Sequence, residues 1–233
     1  MALNIKKHRI IMINILKDIV SSVYWKHLGF KWGTLLYLLY NLDRFSTDLD
    51  FDLLDKWSIN EEKMLVDLAK ICSKHGKVKD MYNKENTLFL LVDYEPYEMK
   101  IKIEINKKRS IHSKYEYKSI LWYQVLCMEA ESLFANKLVA LTQRKNIASR
   151  DLFDVHFFLK KWFEINENII KERTGKSLKS YLKYVIDFIT KNFTEKTLLA
   201  GLGELVDQKQ KYFIKNLLVQ ETCEYLKLII SDE

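Results

Sequence analysis

The chain has 233 residues, 48% of them hydrophobic and 30% charged, with one proline and six glycines. This excludes disordered, collagen-like and linker-like chains and leaves room for one large or two small domains with a real core. Lys and Arg outnumber Asp and Glu by 38 to 31, a formal charge of +7 that suits an anionic partner but is spread along the chain.

Apolar residues at helical spacing (Ile5, Ile11, Met12, Ile15, Leu16, Ile19, Val23) predict a first helix capped by Asn4 and running to about residue 27. A short strand over 30–32 follows, then a helix opening at Gly33-Thr34. Residues 47–53 alternate polar and apolar side chains, the period of a half-buried strand. A helix over 60–75 has Asn60 as its cap and Glu61 and Glu62 in its first turn. Strands are expected over 77–82, 87–94 and 99–105, joined as successive hairpins by turns near 83–86 and 95–96. Beyond about 115, apart from the apolar run ILWYQVLCM, the pattern reads as helix, over 129–143, 150–163, 177–192 and 208–230. The fold class is therefore α+β: an α/β domain over 1–118 with a mixed sheet and flanking helices, packed on a helical bundle over 119–233.

Other classes find little support. A spanning helix needs roughly 20 mostly apolar residues, and the uncharged stretches 32–42 and 119–128 are far shorter, so no membrane association is expected. Cys72, Cys127 and Cys223 lack metal-ligand spacing, and their odd number argues against a disulfide framework, which makes the cytoplasm the simplest location. The five histidines have no HxH or HxxxH spacing.

The chemistry concentrates in 30–52. On a strand, Asp48, Asp50 and Asp52 share one face while Leu49, Phe51 and Leu53 share the other. Adjacent like charges repel, and a hard divalent cation such as Mg²⁺ relieves that repulsion while keeping positions open for phosphate oxygens. In MKIKIEI, Glu104 alternates with Ile101, Ile103 and Ile105, and would complete a three-carboxylate site if that strand lies beside the first. Gly33-Thr34 opens a helix whose first amides can face an anion, and Arg44 and Ser46 precede the acids, where they can hold phosphate oxygens.

A strand, a Gly-containing helix start, DxD on the next strand and a third acid on a later one resemble the DNA polymerase β-like nucleotidyltransferase superfamily. GTLLYLLYNLDRFSTDLDF is similar to the AbiEii/AbiGii toxin family, which includes MenT-type toxins. So is the later pair of helical motifs, ESLFANKLVALTQR and RDLFDVHFFL, and together the motifs span about residues 30 to 160. The resemblance implies a magnesium- or manganese-dependent enzyme that transfers a nucleotide from an NTP to an acceptor. Asp48, Asp50 and Glu104 would hold metal and Lys137 would contact the nucleotide. Gly33, Thr34, Arg44, Ser46, Arg144, Asp151 and Asp154 would complete the nucleotide site in a cleft between the two domains. RNA such as tRNA, a protein or a small molecule is the implied acceptor, and a cognate antitoxin the implied partner. The family usually has Gly-Gly at the loop, where this chain has Trp32-Gly33. That departure leaves a degenerate, purely binding form as the alternative.

Overall fold

A computed structural model describes residues 4–55, 58–194 and 197–232. The chain divides into two compact units. The first comprises residues up to Asn41, Phe45–Arg109 and Tyr115–Met128; the second comprises Leu42–Arg44, Ser110–Lys114 and the chain from Glu129 onward.

The first unit is built on a mixed seven-stranded sheet. In chain order its elements are α1 (Ile5–Val20), a 3₁₀ turn (Trp25–His27), β1 (Leu28–Lys31), α2 (Trp32–Leu39), β2 (Leu49–Leu53), α3 (Glu61–Ser73), β3 (Lys77–Lys84), β4 (Thr87–Asp93), β5 (Ile101–Asn106), β6 (Tyr115–Ile120) and β7 (Tyr123–Met128). The strand order is β3-β4-β5-β2-β1-β7-β6. β2 runs antiparallel to β1 and parallel to β5, and β7 is parallel to β1. The expected hairpins β3–β4 and β4–β5 are both present. Ile101, Ile103 and Ile105 are buried while Lys102 and Glu104 are exposed, so one face of β5 builds core and the other stays wet. On β2, Leu49, Phe51 and Leu53 are buried, and Phe51 packs on Phe30 of β1 with ring centroids 5.3 Å apart. Each such side chain contributes about 1.5–3 kcal/mol on leaving water.

The second unit carries α4 (Ala130–Gln143), α5 (Ser149–Lys160), α6 (Glu167–Thr174), α7 (Leu178–Asn192), α8 (Gln208–Asn216) and α9 (Leu218–Asp232). Its core includes Phe134 stacked on Phe158 at 4.9 Å. No helix among the described residues is long and apolar enough to cross a membrane.

Four elements differ from the sequence reading. α1 ends at Val20, not near 27: the Ser22 hydroxyl donates to the Ile19 carbonyl and closes the helix, and Val23 points into solvent. Residues 115–128, where no strand was assigned and the run ILWYQVLCM stood apart from the helical pattern, form a hairpin whose second strand joins β1. α6 has weak apolar periodicity and was not foreseen. The expected helix over 208–230 is interrupted at Leu217, whose backbone leaves the helical region. Asp207 and Gln210 close a capping box at the start of α8.

Candidate active site

In the first unit the acids are placed by strand register. Asp50 on β2 lies opposite Glu104 on parallel β5 and opposite Lys31 on β1. Asp48 immediately precedes β2 and is half-buried, as is Asp50, while Glu104 is exposed. The donor set is all carboxylate oxygen, which suits Mg²⁺ or Mn²⁺ and not a soft metal. Among the described residues no three His, Cys, Asp or Glu side chains are yet drawn together closely enough to hold an ion. The adjacency lies in the backbone register.

Asp52, the third acid on this face, goes elsewhere. It is buried, and its carboxylate accepts from Lys31 Nζ at 2.6 Å, Asn106 Nδ2 at 3.1 Å and Tyr115 Oη at 2.6 Å. Its oxygens therefore tie β2 to three other strands, β1, β5 and β6. Lys31, which the sequence reading passed over, supplies the counter-charge; a strand alignment putting it opposite Asp50 would have revealed it.

Thr34 and Ser46 are both buried. The Thr34 hydroxyl donates to the Asp48 main-chain carbonyl and also meets Ser46 Oγ at 2.9 Å. The two hydroxyls tie the first turn of α2 to the chain entering β2. Gly33, next to Thr34, is buried in that turn.

The remaining sequence candidates gather inside the second unit. Arg44 donates from Nε and from Nη2 to Asp154, each at 2.7 Å. Lys137 Nζ lies 2.7 Å from Asp154 Oδ2 and 2.9 Å from Asp151 Oδ1. Arg144 Nε lies 2.9 Å from Asp151 Oδ2, close enough for attraction but off hydrogen-bond direction, so that buried oxygen has no hydrogen-bond partner. Lys137, Asp151 and Asp154 are all buried. Burial pushes the Asp154 carboxyl up, but Arg44 and Lys137 outweigh it and hold the group below the ordinary carboxylate range. Arg44 and Ser46, expected side by side on a phosphate, thus take separate partners. His156 is also buried, with Nε2 3.0 Å from Glu221, and burial lowers its pKa against the opposing pull of that carboxylate.

Comparisons with known proteins supply the family. The family model described as "Nucleotidyl transferase AbiEii toxin, Type IV TA system" matches residues 14–217. The chain belongs to the AbiEii nucleotidyl transferase toxin family. Two solved structures from Helicobacter pylori share its fold. One is JHP933, with a TM-score of 0.56, 21% identity, and coverage of 98% of this chain and 95% of that one. The other is described as a putative nucleotidyltransferase, with a TM-score of 0.58, 21% identity, and coverage of 98% and 99%. No curated protein matches the chain significantly in sequence. The AbiEii assignment makes the chain a nucleotidyltransferase of a type IV toxin–antitoxin family.

The departure at the AbiEii loop has a structural signature. Trp32, first residue of α2, has φ +66°, in the left-handed region that glycine adopts without strain. For a bulky residue that conformation costs about 1–2 kcal/mol. Its indole is only half-buried and lies 5.1 Å from Lys31 Nζ. Substitution to Gly and to Ala removes the indole equally, so their difference isolates the backbone. Trp32→Gly is expected to be more stable than Trp32→Ala by about 1 kcal/mol. At an ordinary helix position the order is reversed by about the same amount. Urea melts of the two variants measure it, and Ala above Gly would refute a strained loop.

Proposed function

We propose that this AbiEii nucleotidyltransferase uses Mg²⁺, or Mn²⁺, to transfer NMP from an NTP to a hydroxyl of RNA, tRNA being the first candidate, as the toxin of a toxin–antitoxin or phage-defence pair. The observation that carries the reading is the register of β2 and β5, which sets Asp50 beside Glu104 with Asp48 two residues away. Those three acids would hold the cation, which when bound supplies charge neutralisation for the triphosphate. Around them the chain's own groups do the positioning. The first turn of α2, at Trp32, Gly33 and Thr34, presents amides and a helix dipole suited to phosphate oxygens. Thr34 and Ser46 keep that turn and the DxD segment at a fixed spacing. The buried Lys31–Asp52 pair holds β1 against β2 beneath it.

In the reaction, the acceptor oxygen bonds to the α-phosphorus as the bond to the bridging oxygen breaks and pyrophosphate departs. Positioning and charge stabilisation carry most of such catalysis. The formal charge of +7 favours a polyanionic acceptor over a neutral one. Lys137, Arg144, Asp151 and Asp154 we assign to the nucleotide side of the reaction as a prearranged charge network, with Arg44 clamped on Asp154. A cognate antitoxin and a cytoplasmic setting belong to the same reading.

The test incubates the protein with each of four α-labelled NTPs and Mg²⁺, against tRNA, total RNA and total protein. Label is expected in RNA from one preferred NTP and absent with EDTA. Label in protein moves the acceptor. No labelled product with any NTP or acceptor refutes transfer and favours the degenerate binding form.

A further inference from the structure

His8 takes no part in that chemistry, yet its burial is singular. It lies in the first turn of α1, where Ile5, Lys6, Lys7, Arg9 and Ile10 are all exposed, and it is itself fully buried. Its Nε2 is 3.0 Å from the main-chain carbonyl of Thr47, and its Nδ1 is 2.9 Å from Tyr94 Oη. A carbonyl only accepts, so Nε2 carries a proton and donates it, and Nδ1 pairs with the tyrosine hydroxyl. Burial first, then Glu98 and Glu95, pushes Tyr94 up to about 12, so the hydroxyl keeps its proton. Phe45 and Tyr94 meet the imidazole edge-on at 5.7 and 5.5 Å and fix its plane.

What His8 grips is the segment Phe45–Asp48, which has no regular secondary structure and leads directly into β2. Two consecutive carbonyls there are held from two helices: Thr47 by His8 of α1 and Asp48 by Thr34 of α2. Together they set the peptide planes on either side of the Asp48 α-carbon, and so the direction in which that carboxylate leaves the chain.

We propose that His8 is a positioning residue for the metal-binding acids, acting through the Thr47 carbonyl to fix Asp48 beside Asp50. The inference rests on the reading that Asp48 and Asp50 hold the cation.

Two conservative variants separate positioning from packing. In His8→Gln the side-chain amide reaches the place of Nε2 and can still donate to Thr47. In His8→Asn the amide reaches only the place of Nδ1, keeping a partner for Tyr94 and losing Thr47. Mn²⁺ binding by calorimetry and amide exchange over residues 45–50 are read for both. His8→Asn is expected to weaken Mn²⁺ by about tenfold or more, as loss of an outer-shell support does. It is also expected to speed exchange over 45–50 with α5 unchanged. His8→Gln should stay within about threefold of the parent in both readouts. Equal losses in the two variants, or parental behaviour in His8→Asn, overturn the proposal. If His8→Asn does not fold while His8→Gln folds and binds Mn²⁺ normally, the Thr47 bond is still the one that matters; if neither folds, the role is packing and the proposal falls. Parent protein that binds no Mn²⁺ refutes the metal reading instead, and exchange over 45–50 then decides whether His8 anchors the segment.

Discussion

Asp154→Ala is expected to destabilise the protein by about 3–5 kcal/mol, the cost of removing one member of a buried ion pair, and so to remove a large share of the 5–15 kcal/mol (roughly) available to a folded domain. Asp154 accepts two hydrogen bonds from Arg44 and is within 2.7 Å of Lys137. The side chains of Arg44 and Lys137 are each only 3% exposed, so neither finds water in place of the lost carboxylate. Lys137→Met should cost less, because it leaves each acid a cation: Asp154 keeps Arg44 and Asp151 keeps Arg144. Urea unfolding of both variants checks the order, and equal losses would mean that shape rather than charge holds this part of the helical unit. The pH dependence follows from the same geometry. The folded-state pKa of Asp154 lies below its unfolded value near 3.8. Its contribution is therefore complete above the unfolded value and is lost as pH falls through the lower folded one. Acid unfolding of the parent should carry this step, and Asp154→Ala should lack it.

The same network shows where sequence reading reaches its limit. Lys137 and Arg144 are seven residues apart, the spacing of two helical turns, but α4 ends at Gln143 and Arg144 is extended, so the spacing does not place them on one helix face. That Lys137 is buried against Asp151 and Asp154 follows from the packing of α5, which spacing does not encode. The Asn4 and Asn60 caps were legible because a cap is local chemistry between residues three apart, and both side chains accept the expected amides. The alternation in β2 and β5 was legible because period two is also local. Their adjacency depended on a conditional, that the two strands lie side by side, and the parallel pairing satisfies it. The β6–β7 hairpin was missed for a specific reason. Its two turn residues, Leu121 and Trp122, have φ +47° and +75°, a conformation usually announced by Asn or Gly. His8 gave no signal either: among Lys6, Lys7 and Arg9 it reads as one more exposed polar residue, and only the fold brings Thr47 to it. The strained Trp32 lies between these cases. The missing glycine was visible in the sequence, but the left-handed backbone that makes it matter was not.

Asp50→Asn should abolish nucleotidyl transfer while leaving the fold intact, with the rate falling by about 100-fold or more, as loss of a principal electrostatic group in phosphoryl transfer does. Asn keeps the shape of Asp and one carbonyl oxygen but not the charge that a hard cation requires. Asp50 is half-buried, with Glu104 on one neighbouring strand and Lys31 on the other, so removing its charge gives up an attraction along with a repulsion and should change the melting temperature little. Asp52→Asn makes the contrast. That carboxylate is buried and holds Lys31, Asn106 and Tyr115, so its replacement should cost about 3 kcal/mol of stability through the stranded lysine. Two residues apart on one strand face, the pair thus separates chemistry from scaffold. A binding readout confirms the cause: a ligand that binds only the folded state raises its stability by mass action. Mg²⁺ with the preferred NTP should raise the melting temperature of the parent and of Asp52→Asn, and should not raise that of Asp50→Asn. Parental transfer by Asp50→Asn would remove this acid from the reaction, and an equal thermal shift in all three proteins would place the nucleotide away from β2.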